Sequence, residues 1–76
     1  MDTKLKAQAQ EALKGAIEKA GNAAVLARHL GITKGAISQW SVCPPGRVVQ
    51  VEGITGVSRH DLRPDIFGKS PPSAAG

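Results

Sequence analysis

Between Asn22 and Trp40 the chain ends one short helix and starts another with almost nothing in between. Asn22 is a good helix cap, and Ala23, Ala24, Leu26, Ala27 and Leu30 follow at helical spacing until Gly31 ends the run. Thr33 caps the next segment, which carries Ala36, Ile37 and Trp40 on one face and Lys34, Gly35, Ser38 and Gln39 on the other. Such a junction needs a small residue where the helices cross, a turn residue tolerant of positive φ, and apolar residues that lock the second helix onto the first. Ala27 fills the first role, Gly31 the second, and Ile37 and Trp40 the third. Leu26, Leu30 and Ile32 supply the remaining buried positions. The pattern is that of a helix-turn-helix, with its second helix predicted from near Thr33 to near Trp40.

The flanking segments fit one small helical domain. From Lys4 to Ala20, Leu5, Ala9, Leu13, Ala16, Ile17 and Ala20 recur at spacings of three and four, which predicts an amphipathic helix stopped by Gly21. Gly15 inside it implies either close backbone packing or frayed first turns, because glycine costs a helix about 1 kcal/mol relative to alanine. Ser41 to Pro44 read as a loop with a rim thiol at Cys43, and Pro45 suits the first turn of a helix through Val48, Val51 and Ile54 to Gly56. The β-branched residues there equally allow strands over 48–57, so an α+β fold is the alternative to an all-α five-helix bundle. Ser58 and Asp61 form a cap signal for a last short turn halted by Pro64, with Leu62, Ile66 and Phe67 closing the core. Residues 1–68 form the expected domain. The tail at 69–76, KSPPSAAG, has no large apolar residue to offset its ordering entropy and is expected to be disordered.

The chemistry available narrows the function. Ten Lys and Arg against six Asp and Glu give a formal charge of +4 over 76 residues, which favours a polyanionic partner. No apolar run reaches the roughly eighteen residues of a membrane span, and MDTKLKAQAQ has no signal-peptide core, so a cytoplasmic location and no membrane partner are expected. A single cysteine and two scattered histidines, His29 and His60, make neither an internal disulfide nor a zinc site. No cofactor is expected. No phosphate loop, paired carboxylates or Cys-His arrangement stands out, so no enzymatic activity is expected.

The stretches AVLARHLGITKGAISQW, PPGRVVQVEGITG and VSRHDLRPDIFG resemble the Cro and lambda-repressor-like phage regulators, and especially their YdaS-like, antitoxin-like branch, from about Ala16 to Gly68. The resemblance implies a five-helix bundle that binds double-stranded operator DNA as a dimer and represses phage genes. Relatives often carry Arg or Lys in the loop after the tryptophan, whereas Ser41 to Pro44 is uncharged. A recognition helix enters the major groove while the preceding helix crosses the backbone. Thr33, Lys34, Gly35, Ser38 and Gln39 would then face DNA. Gln39 can pair with adenine and Lys34 with guanine or phosphate, and Asn22 with the free amides beside it suits a phosphate. One short helix reads few base pairs, so a weak homodimer on a palindromic operator is expected, its seam built from Val48, Val49, Val51, Ile54, His60 and Leu62. Arg47, Arg59 and Arg63 can touch phosphate or pair with Glu52, Asp61 or Asp65. The rival reading is an antitoxin-like interaction module that binds a toxin partner.

Overall fold

A computed structural model describes residues 2–68; the segment 69–76, expected to be a disordered tail, lies outside the described residues. The first helix, α1, runs over Thr3–Ala20, with the Asp2 carboxylate accepting from the Lys4 amide at 3.2 Å to start it. Ala9, Leu13 and Ala16 are buried on one side, as the spacing of three and four requires. Nothing lies within 4 Å of where a Cβ on Gly15 would stand, so close packing does not explain that glycine.

The next helices are α2, Ala23–Leu30, and α3, Lys34–Ser38, joined through Gly31 at φ 72° and ψ 28°. This left-handed conformation costs an L-residue roughly 1–2 kcal/mol, and glycine adopts it without a Cβ penalty. Next come a single 3-10 turn, Pro45–Arg47, and helix α4, Val48–Thr55. Helix α5, Arg59–Leu62, and helix α6, Pro64–Phe67, complete the order. The architecture is all-α, and no strand occurs among the described residues. Among the described residues there are six α-helices rather than five. Pro64 does not halt the chain after α5; it begins another turn, with Arg63 at φ −142° separating the two.

The strand alternative at 48–57 gives way to α4 for a packing reason. Val48 and Val51 are both fully buried, and residues three apart share a side of a helix but point to opposite faces of a strand. Burying two valines contributes more than the few tenths of a kcal/mol per residue by which β-branching disfavours a helix. Gly56, at φ 79°, then ends the helix.

Helix α1 is the spine, with α2, α4, α5 and α6 laid against it, and α3 packs chiefly on α2. The core joins Leu13, Ala16, Leu26, Ala27, Leu30, Ile37, Cys43, Val48, Val51 and Leu62, with Trp40, Ile54 and Phe67 partly buried around it. Three expectations are corrected by this core. Val48, Val51 and Leu62 are 0% exposed, so they hold the single chain together and cannot form a seam with a second copy. Cys43 is fully buried rather than on the rim. Ile66 is 48% exposed and does not close the core, a role left to Leu62 and Phe67.

Candidate nucleic-acid interface

Helices α2 and α3 and the turn between them are held from inside by the residues the sequence pattern named. Leu26, Ala27, Leu30 and Ile37 are buried, and Ile32 and Trp40 pack against them. The turn carries its own bonds: the Ile32 amide donates to the Ala27 carbonyl at 3.0 Å, and the Gly31 amide to the Arg28 carbonyl at 3.3 Å. Thr33 Oγ1 accepts from the Ala36 amide at 3.1 Å, which starts α3 without spending a residue inside it.

Thr33, Lys34, Gly35, Ser38 and Gln39 all lie exposed. Taking about 100° per residue, Lys34, Ser38, Gly35 and Gln39 occupy a sector of about 140°, with Ser38 and Gly35 at its middle. Opposite that sector stand Ile37 and Trp40, facing the core, and the partly buried Ala36. The centre of the outward face is thus made of its two smallest residues. Gly35 is not one of the positive-φ glycines, and a Cβ there would meet only Thr33 Oγ1 at 3.9 Å. Neither backbone conformation nor internal packing requires it. The Ser38 hydroxyl donates back to the Lys34 carbonyl at 3.2 Å, whereas Lys34 and Gln39 have no side-chain hydrogen bond among the described residues.

Asn22 caps α2 through Oδ1, which accepts from the Val25 amide at 3.0 Å, and it is exposed at the helix N-terminus. Its amide nitrogen is left as a donor beside the amides of Ala23 and Ala24. Arg28 and His29 lie exposed at the other end of α2, beside the turn.

The residues expected at a seam separate into two groups. Val49 is 57% exposed on α4, and Ile54 and His60 are half-buried, while Val48, Val51 and Leu62 are internal. His60 is occupied within its own chain: Nδ1 lies 3.0 Å from the Phe67 carbonyl and 3.1 Å from that of Gly68. Both oxygens are acceptors, so Nδ1 carries a hydrogen and closes the end of α6.

Two arginines anchor this unit to the rest of the protein. Arg47 donates to the Leu30 carbonyl at 3.4 Å, at the end of α2, and to Gln50 at 3.0 Å. Arg63 donates to the Cys43 carbonyl at 3.0 Å and grips Asp65 through two bonds of 3.0 and 2.8 Å. The Asp65 bond raises the Arg63 pKa and lowers that of Asp65. Arg59 pairs with Glu52 at 3.2 Å. Arg59 and Arg63 thus take the structural alternative, with Glu52 and Asp65 as partners and Asp61 not used. The hold on Leu30 and Cys43 was not legible in the sequence, because those partners are distant in the chain and are backbone carbonyls.

Burial pushes the Cys43 thiol up to about 11, so it is a neutral packing group rather than a nucleophile. Among the described residues no group of three His, Cys, Asp or Glu side chains could hold a metal ion. No helix among them is long and apolar enough to cross a membrane.

A family model described as bacterial toxin YdaS matches residues 13–71, from the middle of α1 to beyond α6. The chain belongs to this family. The match takes in α2, the turn, α3 and both arginine anchors. The YdaS description is of a toxin, where the resemblance in the sequence implied an antitoxin-like branch. No curated protein and no solved structure matches the chain.

Proposed function

We propose that this protein is a sequence-specific DNA-binding regulator, a repressor of the Cro type, that reads the major groove of an operator with α3. The observation that carries this reading is the outward face of α3: exposed, polar and centred on Gly35, a glycine the fold does not need. Gly35 is the second residue of the five-residue α3, and the lack of a side chain beside Ser38 at the centre of that face leaves the helix backbone open to close approach from outside. Lys34 and Gln39 supply base contacts, and Asn22, with the first amides of the eight-residue α2, supplies a phosphate contact. The formal charge of +4 favours the duplex as partner. On this reading the protein works by binding and not by catalysis.

A second copy supplies the selectivity that one short helix lacks. The seam belongs on the exposed face of α4 at Val49, since Val48, Val51 and Leu62 are consumed by the core, Ile54 packs against it and His60 is bonded within its own chain. A two-fold dimer requires half-sites in inverted repeat with centres about 10 base pairs apart.

Selection of bound sequences from random duplex DNA, followed by footprinting, tests the proposal. The expected result is a palindromic site whose affinity falls with salt, with a log-log slope of about −0.9 for each neutralised phosphate. Salt-independent binding, or no enriched sequence, overturns it. The toxin description favours a second reading, in which the protein inhibits growth through a protein partner, either as a toxin or as the counterpart of one. Expression of a Lys34→Ala, Gln39→Ala double variant separates the two. Loss of the cellular effect together with DNA binding supports the first reading, and a retained effect supports the second.

A further inference from the structure

The polar residues of α3 are not equivalent in which partner of a hydrogen bond they can be. Lys34 offers only donors, and Thr33 Oγ1, already accepting from the Ala36 amide, keeps its hydroxyl hydrogen free. Ser38 is arranged the other way round. Its single hydrogen is given to the Lys34 carbonyl at 3.2 Å, so what the side chain presents outward is an oxygen with lone pairs.

Resting on the DNA-reading function proposed above, we infer that Ser38 reads the exocyclic amine of a base, N6 of adenine or N4 of cytosine, as a hydrogen-bond acceptor. In the major groove these amines are the donors, whereas guanine N7 and O6, adenine N7 and thymine O4 are acceptors. An oxygen whose hydrogen is engaged within the helix complements the amines alone. Position supports the assignment. Ser38 lies at the middle of the outward sector next to Gly35, where the helix backbone comes closest to its target, so even a side chain of one carbon reaches the base edge. Thr33 and Ser38 are separated by roughly 7 Å along the helix at about 1.5 Å per residue, close to two base-pair steps. Lys34 and Thr33 at the start of the helix therefore face acceptors on the DNA, and Ser38, unlike the two-way amide of Gln39 beside it, faces an amine.

The test uses the full chain and the duplex that it selects. Wild type and Ser38→Ala are measured on that duplex, and on versions in which single adenines are replaced by purine or single cytosines by 2-pyrimidinone, each lacking the amine. A further set replaces single purines by their 7-deaza analogues, which lack the N7 acceptor. One amine deletion should weaken wild-type binding about three- to tenfold, the range of one hydrogen bond, and leave Ser38→Ala unaffected. Coupling of Ser38 to a 7-deaza position, or to no amine at all, overturns the inference while the DNA-reading function stands. A wild-type chain that selects no sequence overturns both. Ser38 is exposed and makes no contact with the core, so unchanged thermal unfolding of Ser38→Ala confirms that binding alone is being read.

Discussion

Gly35→Ala sets the demands of folding against those of recognition. Within the protein the new methyl group meets only Thr33 Oγ1, at 3.9 Å, an ordinary van der Waals distance, and the backbone is not in the left-handed region. The substitution therefore adds helix propensity without strain, worth at most about 0.5–1 kcal/mol in favour of the folded state, since Gly35 lies in the first turn of α3. For a domain of this size the melting temperature should rise by a few degrees, since 1 kcal/mol corresponds to about 4–8 °C. At a closely packed DNA surface the same methyl group overfills the contact, at a cost of about 1–3 kcal/mol, or roughly 5- to 150-fold in affinity. Thermal unfolding followed by circular dichroism reads the first effect, and titration of a labelled selected duplex reads the second. A variant both more stable and weaker on DNA is the expected outcome. Higher stability with unchanged affinity refutes the close approach of α3, and lower stability refutes the claim that the fold has no use for this glycine.

Other outcomes follow from the packing. Ile37→Ala should cost about 2–5 kcal/mol, because the side chain is buried between α2 and α3, whereas Lys34→Ala should leave the unfolding midpoint nearly unchanged; equal effects in denaturant titrations would contradict the two-faced description of α3. Arg63→Ala should destabilise by about 1.5–3 kcal/mol through the lost bond to the Cys43 carbonyl, and Arg63→Lys should recover only part, since one ammonium does not reproduce the fork held by Asp65 and Cys43; full recovery by lysine in the same titrations would show that charge alone matters. Cys43 should resist alkylation in the folded protein, and a native-state reaction at the rate of a free thiol would contradict its burial. Because its pKa is raised in the folded state, its contribution is fully present below the unfolded value near 8.5 and is lost as pH rises through about 11, so wild type should lose more stability than Cys43→Ala over that alkaline range.

The parts of this fold that were legible in the sequence are those whose cause is local. The caps at Asn22 and Thr33 act on amides three residues ahead, and Gly31 acts on its own φ angle, so each is visible in a window of a few residues. The burial of Ile37 beside an exposed Lys34 and Gln39 follows from helical periodicity, which is also local. Val48, Val51 and Leu62 show where that reasoning runs out. Their apolar character marks them as surfaces to be covered, but whether α1 or a second copy covers them depends on how the chain returns on itself, and a short window does not contain that.

Arg47 and Arg63 carry the same limit further. In sequence each is one more positive charge on a basic chain, available for phosphate. In the fold, Arg63 is 12% exposed with its donors directed at Asp65 and the Cys43 carbonyl, and Arg47 reaches back to the end of α2. A guanidinium suits this work because its planar set of donors serves two acceptors at once. These two residues tie the loop after Trp40 and the end of α2 to α4, α5 and α6, and Arg63, held by Asp65, is thereby withdrawn from phosphate binding. The uncharged loop from Ser41 to Pro44 has no cation of its own to add. On the proposed function, contact with DNA falls on α3, the exposed ends of α2 and the turn between them, where Asn22, Arg28 and Lys34 remain unengaged by acidic partners among the described residues. On that reading rigidity and recognition are divided between different residues, and the division is decided by which carbonyls and carboxylates lie within reach once the chain has folded.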